Sequence, residues 1–336
     1  MQRLNLITDV GGLRIGHAEN VRLASGVTVA LFDEPAVAAV HAPGGGVALR
    51  DADALEPDRT VERIEAIVLS GGSGFGLDAG SGAQAWLRER GRGLVVGATR
   101  IPIVPTAILF DLLNGGDKRW GRYPPYRELA YAACEAAERQ SGPFGLGSTG
   151  AGFGATTVDL KGGIGSSSIV ATTGSTVGAI VAVNAIGSAI VGHGPHFWAA
   201  PFEIDGEFGG LGPAPAVAAD VGSIVWKGGP SPGTTLAIVT TNVALTKAQA
   251  KRLAIVAAGG LPRALRLAAA PMDGDVVFAV STGRRPLGGI DELTEIGARA
   301  ADCLARAVAR GVYEATALTV PGALPAWQDR FVLRGV

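Results

Sequence analysis

Short apolar runs rich in β-branched residues recur along this chain of 336 residues, with helix-like segments standing between them. That interleaving confines the fold to sheets covered by helices. Residues 26–32 and 36–41 read as early strands joined by a short acidic turn, and residues 65–69 as a third that runs into the glycine-rich stretch 70–76. Helices are expected from 78 to about 89 and over roughly 127–140. Residues 178–184 return to a strand, as do 235–241 and 276–280. Thr246-Lys247-Ala248-Gln249 has the spacing of a capping box and opens a helix towards Ala258, where Gly259-Gly260-Leu261-Pro262 must break or kink it. A final long helix covers 291–310. No repeat of solenoid length and no linker composition divides the chain, so one compact domain spanning 1–336 is expected.

The composition narrows the function classes. Net charge is −1 and no run of Lys or Arg marks a nucleic-acid or anionic-membrane surface, so neither is expected as a partner. The most apolar stretch, 177–191, is interrupted by Asn184, two glycines and Ser188, and suits buried strands better than a membrane span. The opening residues lack an apolar signal core, so a cytoplasmic protein is the expectation. Fifty-one glycines beside only 6% aromatics suggest closely packed sheets and backbone-lined loops. Cys134 and Cys303 both fall in amphipathic helical segments and read as buried free thiols.

Chemistry concentrates where a loop enters the strand 235–241. Pro230-Ser231-Pro232-Gly233 is a chain-breaking approach, so Thr234 stands at the junction. If the Gly233–Thr234 bond were cut, Thr234 would carry a nucleophilic hydroxyl and a base, its own α-amine, whose reference pKa of about 7.7–8.0 suits proton transfer near neutrality. The local residues fit an ordinary turn equally well. Asp273 and Asp275, one residue apart, would share a face if extended, where two carboxylates raise one another's pKa; Asp-Gly is also a common turn signal. Asn184 ends an apolar strand and could donate to an oxyanion or simply satisfy a turn. Lys161 could place a charge by the nucleophile or be solvated, and Tyr123 and Tyr126 flank a Pro-Pro pair. His193 and His196 lack partners at metal-site spacing, so no metal is assigned. Gly74-Phe75-Gly76-Leu77-Asp78-Ala79 matches a dinucleotide fingerprint between a strand and a helix. The following strand ends in Ala98-Thr99-Arg100 with no acid for a ribose, which leaves at most an NADP-binding reading.

Taken together in order, six segments resemble the DmpA family, which includes L-aminopeptidase/D-esterases, β-peptidyl aminopeptidases and nylon-oligomer hydrolases. They are residues 7–18, 69–79 and 161–168, then Val183-Asn184, Gly233-Thr234-Thr235-Leu236 and Asp273-Gly274-Asp275. The resemblance covers nearly the whole chain and makes the glycines of 70–76 structural. It implies an αββα sandwich that cuts itself into 1–233 and 234–336, with no cofactor, acting on a peptide or amide as a homo-oligomer of αβ units. By the same resemblance Thr234 is the nucleophile, Asp273 and Asp275 position it, Asn184 serves the oxyanion and Lys161 lines the site, with Tyr123 or Tyr126 as the site tyrosine. The family's aminopeptidases usually carry Ser as nucleophile and Ser with Glu at the downstream pair. Thr with two Asp is similar to the nylon-oligomer hydrolases and brings 6-aminohexanoate oligomers into view as substrates. Ornithine acetyltransferases share this broad architecture and a Thr nucleophile, so acyl transfer stands as an alternative, and a catalytically idle structural subunit as another.

Overall fold

In the computed structural model, which describes residues 3–215, 224–228 and 232–331, most of the longer strands are buried on both faces. The strands are β1 (Leu13–Asn20), β2 (Ser25–His41), β3 (Leu49–Arg50), β4 (Ile64–Ser70), β5 (Leu94–Val96), β6 (Thr99–Ile101), β7 (Thr106–Ile108), β8 (Ile164–Val170), β9 (Thr176–Asn184), β10 (Thr234–Val243) and β11 (Val276–Arg285). The helices are α1 (Ala79–Glu89), α2 (Tyr126–Arg139), α3 (Lys247–Ala257), α4 (Leu261–Ala264), α5 (Ile290–Tyr313) and α6 (Trp327–Phe331). Residues 230 and 231 of the expected chain-breaking approach lie outside the described residues.

The two early strands expected at 26–32 and 36–41 are one strand. β2 runs unbroken for 17 residues and serves two sheets. Its first half pairs antiparallel with β1 and β4, and its second half with β11. Between them Asp33, Glu34 and Pro35 are exposed and the register against β4 shifts, so the acidic residues mark a change of sheet rather than a reversal of the chain. The strands then run β3-β7-β4-β2-β11-β10-β9-β8, with β1 on β2.

Alternation along each strand builds four layers. Ala30 and Phe32 of β2, Ile67 and Leu69 of β4, Ile180 of β9, Leu236 and Ile238 of β10 and Phe278 of β11 point into one seam between the sheets. The alternate residues face outwards. Val29, Leu31 and Val68 pack under α1 and α2 with Trp86 and Tyr126. Val181, Ala237, Val239 and Val277 pack with α3, α4 and α5 through Leu253, Leu304 and Val308. The order helix, sheet, sheet, helix is the expected αββα sandwich, and burial of both strand faces explains the continuous apolar runs. The capping box at α3 is formed: Thr246 Oγ1 accepts from the Gln249 amide at 3.3 Å and Gln249 Oε1 from the Thr246 amide at 2.9 Å. Cys134 and Cys303 are buried free thiols.

The dinucleotide fingerprint fails on topology. β4, the strand before the glycines, is antiparallel to β2 and parallel only to the three-residue β7, and the strand directly after α1 belongs to an exposed two-stranded hairpin, β5-β6, off the main sheet. Among the described residues a single parallel pair, β4 with β7, stands there rather than a doubly wound parallel sheet.

Small residues set how closely the layers approach. A Cβ on Gly165 of β8 would lie 1.8 Å from the carbonyl oxygen of Ala307 on α5. Gly165→Ala must therefore push helix from sheet, and it is expected to cost about 1–3 kcal/mol of stability, read as a lowered midpoint in denaturant unfolding. An unchanged midpoint would show that the layers can yield at this contact.

Candidate active site

Three strand ends meet at one edge of the inner sheet. Thr234, the first residue of β10, is paired in register with Asn184, the last residue of β9. On its other side β10 runs parallel to β11, with Leu236 opposite Val276, so Asp273-Gly274-Asp275 enters the sheet beside Gly233-Thr234-Thr235. Thr234, Asn184, Asp273 and Asp275 are all buried.

The Gly233 carbonyl, on the amino side of Thr234, is doubly engaged. Thr234 Oγ1 donates to the Gly233 oxygen at 2.5 Å, and the Gly274 amide donates to the same oxygen at 3.0 Å. A nucleophilic hydroxyl is thus held against a carbonyl that a backbone donor already polarises. Gly274 must lack a side chain, because a Cβ there would sit 2.5 Å from Thr234 Oγ1.

The two carboxylates divide their work. Asp275 accepts from the Thr235 amide at 2.6 Å and from the Ala269 amide at 2.9 Å, which ties the start of β10 to the loop before β11. Asp273 is pushed up to about 8 by burial, by the charge of Asp275 and by its hydrogen bond to Asp275. Burial also raises Asp275, while its backbone donors favour its charged form. Burial and mutual repulsion thus favour a proton shared within the pair. Asp273 Oδ1 is buried without a hydrogen-bond partner.

Asn184 is anchored rather than aimed at the Gly233 carbonyl. Its Oδ1 accepts from the Thr156 amide at 3.0 Å, and its Nδ2 donates to the Phe110 carbonyl at 2.9 Å. In the intact chain the donor on the Gly233 oxygen is Gly274. Lys161 is buried and donates to the carbonyls of Gly152, Ala155 and Gly162 at 2.8–3.0 Å. Three carbonyls take its three protons. It holds the loop that presents Thr156 to Asn184 and acts on the site through that loop; burial pushes its pKa down to about 7.

The two tyrosines separate. Tyr123 is 75% exposed. Tyr126 is buried, and its hydroxyl donates to Ser25 Oγ at 3.1 Å, which donates to Asp111 Oδ2 at 2.5 Å. Burial raises the pKa of Asp111. Asp111 in turn lines a cavity of about 260 Å³ with Phe110, Asn114, Thr156, Lys227 and Pro232. That cavity is bounded by Pro232, the residue preceding Gly233. Lys227 and the Gly274 amide had no sequence signal. The first stands in a glycine-flanked segment without periodicity, and the second is a backbone group carried by a common turn dipeptide.

A buried hydroxyl on a strand end, a polarised carbonyl and a pair of carboxylates thus lie together at this edge of the sheet. Comparisons with known proteins place the chain. Residues 5–323 match the model of Peptidase family S58, and the chain belongs to that family, the DmpA family, as a peptide or amide hydrolase. It is 37% identical over 350 residues to an uncharacterized aminopeptidase of Mycobacterium tuberculosis (strain ATCC 25618 / H37Rv), covering 98% of both chains. It is 33% identical over 147 residues, 44% of this chain and 37% of the other, to the 6-aminohexanoate-oligomer endohydrolase of Paenarthrobacter ureafaciens. The fold is similar to that of the L-aminopeptidase D-Ala-esterase/amidase of Ochrobactrum anthropi, described as a variant of the Ntn hydrolase fold. The TM-score is 0.71 at 19% identity, over 97% of this chain and 91% of that one. A Burkholderia sp. beta-aminopeptidase is equally similar in fold, with TM-score 0.71 at 23% identity over 98% and 92% of the two chains.

Two outcomes follow from this geometry. Gly274→Ala displaces the Thr234 hydroxyl, and hydrolysis of an amino-acid amide should fall by about a hundredfold or more, since misplacement by an ångström costs that much. The raised Asp273 pKa has a sign. Between the ordinary carboxylate range and about 8 the folded chain binds more protons than the unfolded one, so this group makes stability fall as pH rises, and the loss is complete above about 8. Asp273→Asn removes that slope. The melting temperature of the variant relative to wild type should climb through this window and level off beyond it; a flat difference would place the shared proton elsewhere.

Proposed function

We propose that the chain cuts itself between Gly233 and Thr234 and that the residue so exposed is the nucleophile of an amide hydrolase. The observation that carries this reading is the Thr234 hydroxyl lying on its own preceding carbonyl, with the Gly274 amide on the same oxygen. In the first step Thr234 Oγ attacks the Gly233 carbonyl carbon, the C–N bond breaks, and the Oγ proton passes to the departing Thr234 nitrogen. Water then hydrolyses the ester, leaving a Gly233 carboxylate and a Thr234 with free hydroxyl and free amine. Negative charge on the Gly233 oxygen is met by the Gly274 N–H.

After cleavage the α-amine of Thr234 serves as base for its own hydroxyl, in the pKa range of about 7.7–8.0 where such a base works at neutral pH. A substrate amide acylates Thr234 and water releases the acid. Asp275 keeps the start of β10 in place through the Thr235 amide, and Asp273 supplies a buried oxygen and a proton beside it. Peptides and amino-acid amides are the proposed substrates, in keeping with the aminopeptidase names of the relatives. Hydrolysis of 6-aminohexanoate oligomers is a subsidiary proposal, supported by the likeness to the endohydrolase and by Thr with two Asp at the site.

Intact mass measurement under denaturing conditions tests it. Wild type should resolve into fragments 1–233 and 234–336, and Thr234→Ala should remain whole and lose amidase activity. A full-length Thr234→Ala protein with wild-type turnover would overturn the proposal.

A further inference from the structure

The donor on the Gly233 carbonyl is a backbone amide, so its aim is set by whatever holds the peptide plane it belongs to. The Gly274 N–H shares a trans peptide with the Asp273 carbonyl, and the two groups point in opposite directions. On one side the Asp273 carbonyl accepts from the Gly46 amide at 2.8 Å; on the other Gly274 donates to the Gly233 oxygen at 3.0 Å. A line of hydrogen bonds thus starts at Gly46, crosses one peptide unit and ends on the carbonyl that Thr234 Oγ1 also touches.

Gly46 closes the run Gly44-Gly45-Gly46, which follows the end of β2. The second half of β2 pairs antiparallel with β11, with His41 opposite Val277. Chain leaving β2 in this direction must pass the residues that lead into β11. It does so as a strap. The Gly44 amide donates to the Asp275 carbonyl at 3.3 Å, Gly45 to the Ala270 carbonyl at 3.2 Å, and Gly46 to Asp273. The crossing excludes side chains at its start: a Cβ on Gly44 would lie 2.4 Å from the Asp273 oxygen and 2.5 Å from the Asp275 nitrogen. At Gly46 the nearest atoms would be 3.3–3.4 Å away, so this position has room for a methyl group and its N–H does the holding. Gly45 and Gly46 are exposed, whereas Asp273 and Asp275 beneath them are buried. The strap therefore reaches the site from the solvent side.

We propose that Gly46 is a positioning residue for the reaction at Thr234: its N–H orients and polarises the Asp273–Gly274 peptide and so sets the strength of the donor that meets negative charge on the attacked carbonyl. A carbonyl that accepts a hydrogen bond strengthens the N–H of its own peptide as a donor, and a donor fixed beforehand costs no reorganisation during the attack. The proposal rests on the reading of Thr234 as a self-cleaving nucleophile. Gly233 presents the carbonyl in self-cleavage, and a substrate amide presents it afterwards. Gly46 exchanges no atom in either step.

The test replaces the Gly46 amide by an ester, through incorporation of glycolic acid at position 46, which deletes the N–H and leaves the shape of the strap. Gly46→Pro lacks the same N–H, and Gly46→Ala keeps it. Self-cleavage followed by intact mass, and kcat for an amino-acid amide, should both fall about tenfold in the ester chain and in Gly46→Pro. KM should stay within about twofold of wild type, because the lost contact acts in the transition state. Gly46→Ala should restore most of both rates. Denaturant midpoints separate aim from folding. A strap that served stability alone would lower the midpoint of the ester chain and leave its kcat at the wild-type value. That outcome would overturn the proposal, as would a loss confined to KM. If the ester chain does not fold, Gly46→Pro decides by the same two rates. A wild-type chain that stays whole would instead sink the self-cleavage reading, and this one with it.

Discussion

Strand β10 is packed on both faces, and the placement of Thr234 depends on it. Leu236 and Ile238 enter the seam between the sheets, while Ala237 and Val239 lie under the helical layer. Burying each of the larger side chains contributes on the order of 1.5–3 kcal/mol, so a shift of register or a turn of the strand would expose several at once. The pairing with β9 on one side and β11 on the other follows from that burial. Asn184 and Gly274 therefore arrive at fixed heights beside Thr234. A hydroxyl on a loop could not be held against one carbonyl oxygen with this constancy.

The electrostatics of the site follow from how dry it is. Desolvation is the largest influence on Asp273, Asp275, Asp111, Lys161 and Lys227 alike, raising the acids and lowering the lysines. Opposite shifts of this kind bring acids and bases towards each other, with Asp273 pushed up to about 8 and Lys161 and Lys227 down to about 7. The same dryness makes each ammonium depend on fixed partners. Lys161 finds them in three carbonyls and so shapes the loop that meets Asn184, whereas Lys227 finds them in Asn184 itself. Two lysines with similar pKa values thus have different mechanical roles.

Much of this was legible in the order of residues. Continuous apolar, β-branched runs mark β4, β9, β10 and β11, and Thr246 with Gln249 marks the start of α3, because these signals are local and need no partner from elsewhere in the chain. The position of Thr234 at a loop-to-strand junction and the i, i+2 spacing of Asp273 and Asp275 are local in the same sense. The six ordered blocks pointed to a four-layer sandwich and to one family.

Only the tertiary structure decided the rest. An acidic break at Asp33–Pro35 reads as a turn, yet the strand continues through it, because two sheets take up its two halves. Tyr123 and Tyr126 look alike in sequence and differ by burial against Ser25 and the strand beneath. The Gly274 amide is a donor that no side chain announces, and Lys227 reaches Asn184 from a segment with no pattern of its own. Local sequence determines which backbone conformation a segment prefers. Which buried donor finds which buried acceptor is determined by contacts between residues far apart in the chain, and those exist only once the sheets have packed.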